Sequence, residues 1–339
     1  MHRVVVVLGL LVGTVGCGDL SQEDLLFRAA VPPKQAVAVT PPGADGSVDD
    51  DGANTQSQGL EVQCAEGDLR CEAQKIAGGF NGLTFTLLDV VDKVAGLPPS
   101  LREPGRRVWG PIFDDAKNQS FRFEMVREDD EVTFSFCLFM APGRVGPARG
   151  GRALTCSDDD DGDLIKVFSG AFEPSGIDGE AARRGRGTMR FEADKVSRFD
   201  GSERFARALD FAFDNTEGTE IQIDVEGATV GELERDASYE FTRVADGGGT
   251  FLFDVFANLV SEGLIPELRL EHISLSAEWN ADQAGRAQGV VDGGDIAPGT
   301  ELSTTQCWGV APGFELVFFD GVDDAVAPIG DEANCAFQD

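Results

Sequence analysis

The chain has 339 residues, with 28 Lys+Arg against 60 Asp+Glu and a formal net charge of −32. A field of that sign repels nucleic acid and anionic lipid headgroups, which argues against a nucleic-acid partner. Only two histidines occur, His2 and His272; with His2 removed in the signal peptide read below, a multi-histidine metal centre within one chain is not expected.

The N-terminus carries Arg3, then an apolar run from Val4 to Val12, then Gly13-Thr14-Val15-Gly16. A basic start, a short apolar core and small exit residues read as a signal peptide over 1–16. The run is too short for a bilayer span, which needs about 20 apolar residues. The exit Thr14-Val15-Gly16-Cys17 resembles the lipobox of bacterial lipoproteins, with Thr14 where leucine is usual. That resemblance implies cleavage before Cys17, a diacylglyceryl group on its thiol and a further acyl chain (palmitate or similar) on its amino group. It makes the membrane a partner, reached through lipid on Cys17. Gly18 after the cysteine implies the outer membrane by the sorting pattern of such lipoproteins. An ordinary secretory signal with an incidental cysteine is the alternative.

Residues 17–59 read as a disordered tether. They contain Pro32, Pro33, Pro41 and Pro42 and the acidic, Gly-rich run Ala44–Gly52, which offer little to a core. A single β-rich domain is expected over 60–339. Asp68 caps a short helix through Ile76, stopped by Gly78-Gly79. Asn81 caps a second helix, in which Leu83, Leu87, Leu88, Val91 and Val94 recur at helical spacing before Gly96 and Pro98-Pro99. A strand over Leu83–Leu88 is the other reading.

From Arg106 onward the period changes to two. Phe121, Phe123 and Met125 alternate with Arg122 and Glu124; Glu128-Asp129-Asp130-Glu131 reads as a turn; Val132, Phe134, Phe136 and Leu138 alternate in turn. Further strands are expected near 164–173, 186–194, 207–214, 219–226, 238–245, 250–257, 267–279, 285–291 and 313–320. Short alternating strands and short turns predict a mainly β fold. The expected form is a curled antiparallel meander (half-barrel, barrel or two layers) with one or two short helices near its N-terminus. The apolar face must be covered by a helix, a second layer or closure.

Seven cysteines are present. With Cys17 acylated, six remain, and an even number in an exported chain favours disulfides. Sequence neighbours give the simplest of 15 pairings: Cys64–Cys71, Cys137–Cys156 and Cys307–Cys335. In the run Asp158–Asp163, aligning Gly162 with the turn glycine of an EF-hand leaves Asp159, Asp161 and Asp163 as a calcium candidate. Phe168 then falls where the bidentate glutamate belongs, and a solvated acidic loop is the plainer reading. His272 lies in a strand-like run and reads as structural; no GxSxG elbow accompanies it. No catalytic residue and no cofactor is assigned.

Trp109-Gly110-Pro111, Gln306-Cys307-Trp308 and Gly330-Asp331-Glu332-Ala333-Asn334-Cys335, together with the lipobox, resemble uncharacterised bacterial lipoproteins with a β-rich domain. The resemblance covers most of the mature domain and implies no activity. A curled sheet on a helix also resembles periplasmic lipid carriers of the half-barrel type, which implies a Phe-lined cavity. The expected role is a non-enzymatic envelope lipoprotein that binds an apolar ligand or an envelope protein. The alternative is a carboxylate-dependent hydrolase, which needs two facing acids about 5–10 Å apart.

Overall fold

The computed structural model describes residues 21–42, 64, 67–127, 133–145, 164–176, 184–200, 206–230, 233–257, 270–311, 313–321 and 327–337. Cys17, Cys156 and the calcium candidate Asp159, Asp161 and Asp163 lie outside them. The helices are α1 (Gln22–Ala29), α2 (Leu69–Ala95) and α3 (Ala193–Asp200). The strands begin with β1 (Leu101–Glu103), β2 (Arg106–Asp114), β3 (Gln119–Arg127), β4 (Phe134–Pro142) and β5 (Ile165–Pro174). Then come β6 (Gly185–Phe191), β7 (Ala208–Asp214), β8 (Thr219–Val230), β9 (Leu233–Arg243) and β10 (Gly249–Ala257). The last are β11 (Glu271–Trp279), β12 (Gly285–Gly293), β13 (Glu301–Trp308), β14 (Leu316–Asp320) and β15 (Ile329–Gly330). They form one antiparallel sheet of 15 strands whose order follows the chain, and it does not close. Strands β1 and β15 and helix α3 have no counterpart in the sequence reading.

The described residues form two compact units: Met1–Ala36 with Thr84–Thr216, and Val37–Leu83 with Glu217–Asp339. In the first unit the alternating residues of each strand meet in rows. Trp109, Phe123, Leu138, Phe168, Phe191 and Leu209 are successive cross-strand partners, and all are buried. Phe134, Phe172, Gly187 and Phe213 form another row. Each buried large side chain contributes about 1.5–3 kcal/mol. Gly187 and Gly170, poor strand formers, are explained by these rings. A Cβ at Gly170 would sit 2.6 Å from the Phe136 ring, and one at Gly187 2.7 Å from Phe213.

Strands β3 and β4 do not face solvent on their second face either. Ser120, Arg122 and Glu124 are buried there, and Cys137, Phe139 and Ala141 pack with Leu164 and Val145.

In the second unit glycines and tryptophans alternate across four strands: Gly249, Trp279, Gly285, Trp308. Each indole covers the glycine before it in that order and donates to a turn carbonyl, Trp279 to Gly247 at 3.1 Å and Trp308 to Gln283 at 2.7 Å.

Where two short helices were expected, α2 is continuous through Gly78-Gly79. Interior helical glycine costs only about 1 kcal/mol per residue, less than the buried flanks supply. Ala73 and Ala77 are buried on one side of the pair, and Phe85, Leu88, Val91 and Val94 on the other. Asp68 caps the helix as expected, accepting from the Cys71 amide at 3.1 Å. Asn81 is not a cap. It sits inside α2, and its amide brackets Val39, accepting from the Val39 N–H at 2.9 Å and donating to its carbonyl at 2.7 Å.

The disordered tether expected over 17–59 is corrected for residues 21–42, which are packed. α1 opens with a capping box between Ser21 and Asp24. Its inward face buries Phe27 edge-on against Phe134, centroids 5.4 Å apart. Beside it Arg107, 2% exposed, meets Asp24, 1% exposed, at 2.6 Å and Glu23 at 2.5 Å. Arg102 reaches Asp24 from β1 at 3.0 Å. Lys34, from a 3-10 turn over Lys34–Ala36, binds Asp89 of α2 at 2.7 Å. The prolines that suggest a tether punctuate a packed strap.

Disulfides join Cys64 to Cys71 and Cys307 to Cys335, as the spacing predicts. Cys137 is also disulfide-bonded. The Cys307–Cys335 bridge and an ion pair between buried Arg286 and Glu332, at 3.1 Å, hold the C-terminal turn on the sheet.

Two glycine substitutions should separate backbone cost from packing. A Cβ at Gly79 meets nothing within 4 Å, so Gly79→Ala should stabilise by about 0.5–1 kcal/mol and raise Tm by a few degrees. A Cβ at Gly285 would strike the Glu278 carbonyl and the Trp308 ring, so Gly285→Ala should destabilise by about 1–3 kcal/mol. Thermal unfolding followed by circular dichroism distinguishes them; equal shifts would contradict the row packing.

Burial alone would raise the Asp24 pKa. Hydrogen bonds from Ser21, Arg107 and Arg102 outweigh that and hold it at about 2, below its ordinary 3.8. A lowered carboxylate contributes stability above its unfolded pKa and loses it as pH falls through the folded one. The unfolding free energy of the wild type should exceed that of Asp24→Asn by about 3 kcal/mol at pH 7. The gap should shrink from pH 4 to pH 2; a gap that does not change with pH would refute the assignment.

Candidate functional site

The sole histidine of the described body sits on β11 between its neighbours. Its Nε2 lies 2.9 Å from Asp254 on β10, and its Nδ1 lies 3.3 Å from Asp292 on β12. The Phe256 ring lies alongside, centroids 5.0 Å apart. Period-two geometry explains the set, because neighbouring strands place same-face residues side by side. A histidine that activates a serine needs one ring nitrogen on the hydroxyl. Here both nitrogens face carboxylates, so the arrangement staples three strands and builds no triad.

The most buried acids are committed in the same way. Glu124 is held by Arg106 at 2.6 Å and Arg122 at 3.0 Å. Asp24 is held by Arg107 and Arg102. Glu271 accepts from the Asp295 amide at 3.0 Å. Among the described residues no group of three or more His, Cys, Asp or Glu side chains is arranged to hold a metal ion. No described helix is long and apolar enough to cross a membrane.

A different arrangement stands out in the second unit. Tyr239, the chain's only tyrosine, lies on β9 opposite Ile223 on β8 and Phe253 on β10. Phe253 in turn opposes Leu275, and Leu275 opposes Gly289. Phe80 of α2 meets Tyr239 edge-on at 4.0 Å, and Phe253 lies at 4.7 Å on the other side. α2 is held over this part of the sheet through its first turn. The Gln306 side chain accepts from the Arg70 amide at 3.0 Å and donates to Asp68 at 3.3 Å. At Gly289 a Cβ would lie 3.3 Å from Leu69.

Unlike the rows of the first unit, this face is not sealed. Phe80, Tyr239, Phe253, Ile273, Val291 and Leu302 are all only half-buried. The strap from Val37 to Pro42 follows α2 here, with Gln74 donating to the Pro42 carbonyl. Burial pushes the Tyr239 phenol well above its ordinary 10.0. Its hydroxyl makes no hydrogen bond among the described residues. An aromatic, half-covered surface with one unpaired hydroxyl has the composition of a small apolar ligand site, in which a polar group fixes orientation.

Sequence reasoning noted Tyr239 as the lone tyrosine but assigned none of these residues to a site. The signal was present: a lone tyrosine at a core-facing strand position, two residues from Phe241 and opposite Phe253. What the sequence lacked was the partner, since Phe80 belongs to the helix that was split at Gly78-Gly79. Compared with protein-family models, with curated proteins and with solved structures, the chain matches none.

A raised tyrosine pKa contributes stability below the unfolded value and loses it as pH rises. Stability should therefore fall above about pH 10. Tyr239→Phe should remove part of that alkaline loss. Tyrosinate absorbance in the wild type should appear only together with unfolding. Its appearance in the folded protein at its ordinary pH would show that the phenol is in water.

Proposed function

We propose that this chain is a lipid-anchored envelope lipoprotein, attached through Cys17, whose β-rich body binds an apolar ligand without chemistry. The observation that carries the binding half is the unsealed aromatic surface of Phe80, Tyr239 and Phe253, set around a hydroxyl with no hydrogen-bond partner among the described residues. The anchoring half rests on the basic start, short apolar run and Thr14-Val15-Gly16-Cys17 exit. Disulfide-bonded cysteines suit an extracytoplasmic setting. The outer membrane is the proposed address, from Gly18. The resemblance to half-barrel lipid carriers supports the same ligand class, though the filled Phe rows of the first unit do not serve as its cavity. The hydrolase reading draws no support from the buried acids described, each held by arginine or backbone.

The test pairs two measurements on the full chain. N-phenyl-1-naphthylamine, a neutral apolar fluorophore, should bind saturably and be displaced by a long-chain alcohol. Phe253→Ala should weaken that binding about tenfold, equivalent to about 1.4 kcal/mol. Cys17→Ser should abolish lipid labelling and move the protein out of the membrane fraction. Absent or unsaturable probe binding defeats the ligand reading; full membrane retention of Cys17→Ser defeats the anchor.

A further inference from the structure

We propose that the outward face of α1 rests on the lipid surface, so that the first unit is held against the membrane rather than at the end of a long tether. The inference rests on the proposed lipid anchor at Cys17. Its geometry begins with chain length. Ser21 follows Cys17 by four residues, and a chain spans at most about 3.6 Å per residue. The α1 cap is therefore within about 14 Å of the acylated cysteine.

There is no slack beyond that point. Arg107 grips Asp24 at 2.6 Å and Glu23 at 2.5 Å, Arg102 grips Asp24 at 3.0 Å, and Phe27 is fully buried against Phe134. These contacts bind the first turn of α1 to β1 and β2. The lipid thus positions the strands themselves.

The surface presented there is suited to lipid. The most exposed positions of α1 are Gln22, Leu25, Arg28 and Ala29, and the acid on this helix that also reaches solvent, Glu23, is neutralised by Arg107. Leu25 is 50% exposed, although large apolar side chains of the unit are otherwise mostly buried. The Arg28 side chain is 47% exposed and only loosely engaged, 3.9 Å from Asp92.

The charge of this end also differs from the whole. Arg28, Lys34, Arg102, Arg106 and Arg107 are matched here by Glu23, Asp24, Asp89, Asp92, Glu103 and Glu124, a local balance of −1 in a chain of −32. An anionic headgroup layer repels the strongly acidic body more than this nearly neutral end, which turns α1 toward the membrane.

The experiment uses the full acylated chain in vesicles of phosphatidylcholine with phosphatidylglycerol. A nitrobenzoxadiazole label is placed on Leu25→Cys, on Ala29→Cys one turn later, or on Asp115→Cys. Asp115 lies past the far end of β2, nine residues from Arg106 and about 30 Å away along the strand. A quencher carried on the lipid should reduce emission at the two α1 positions at least threefold more than at position 115. Equal quenching at the three positions overturns the proposal. Mass measurement and vesicle flotation separate the two readings. A protein that carries the diacylglyceryl mass and floats, yet leaves both α1 labels in water, overturns only the α1 contact. A protein with unmodified Cys17 that does not float overturns both.

Discussion

Every strand of this sheet pairs only with its neighbours in the chain, so no crossover returns to cover the apolar face. Much of the cover comes from residues that precede β1, with α3, between β6 and β7, packed against β5. That constraint explains why α1, the strap through Pro42 and the whole of α2 are built before the first strand, and why each is fastened by long-range polar contacts. Arg107 reaches back to Asp24, and Arg243 reaches back to Thr40 at 2.9 Å. The Asn81 amide, bracketing Val39, ties the two covering segments to each other. A buried ion pair adds little net stability by itself, but losing one partner strands a charge. Arg107 and Asp24 thus define where α1 must lie more than they hold it there.

The meander was legible because its alternation is strong. Phe134, Phe136 and Leu138 declare one face of β4 without help, and most later strands fall within a few residues of expectation. The disulfides Cys64–Cys71 and Cys307–Cys335 were legible for a related reason: chain neighbours in a meander are neighbours in space. What failed were inferences from composition. Four prolines between 32 and 42 looked like a linker, yet Val37, Ala38 and Val39 between them are buried. Gly78-Gly79 looked like a stop, yet local propensity is a small term beside the packing on either side. Arg122 and Glu124 looked solvent-facing because alternation cannot tell a wet face from one covered by another segment.

The candidate site was legible only in part. His272 was legible as a strand residue, but its two carboxylate partners depend on strand register, which the sequence does not number. The Tyr239 surface needs three elements at once: β9, β10 and a helix that runs past its apparent break. Contrast with the first unit makes it visible. There, rings meet rings or lie over glycine, and nothing of the row remains exposed. Around Tyr239 the same kind of row is left partly open, and its hydroxyl finds no hydrogen-bond partner among the described residues.

The glycine and tryptophan row of β10–β13 carries a consequence for how such a sheet changes over time. Each indole leans over the glycine of the neighbouring hairpin and hydrogen-bonds the turn beside it, so the motif repeats as a module of two strands. In a meander the modules meet only side by side. A hairpin duplicated with its glycine and tryptophan would dock against its parent without rewiring any connection. The sheet is thus free to widen or narrow in steps of two strands.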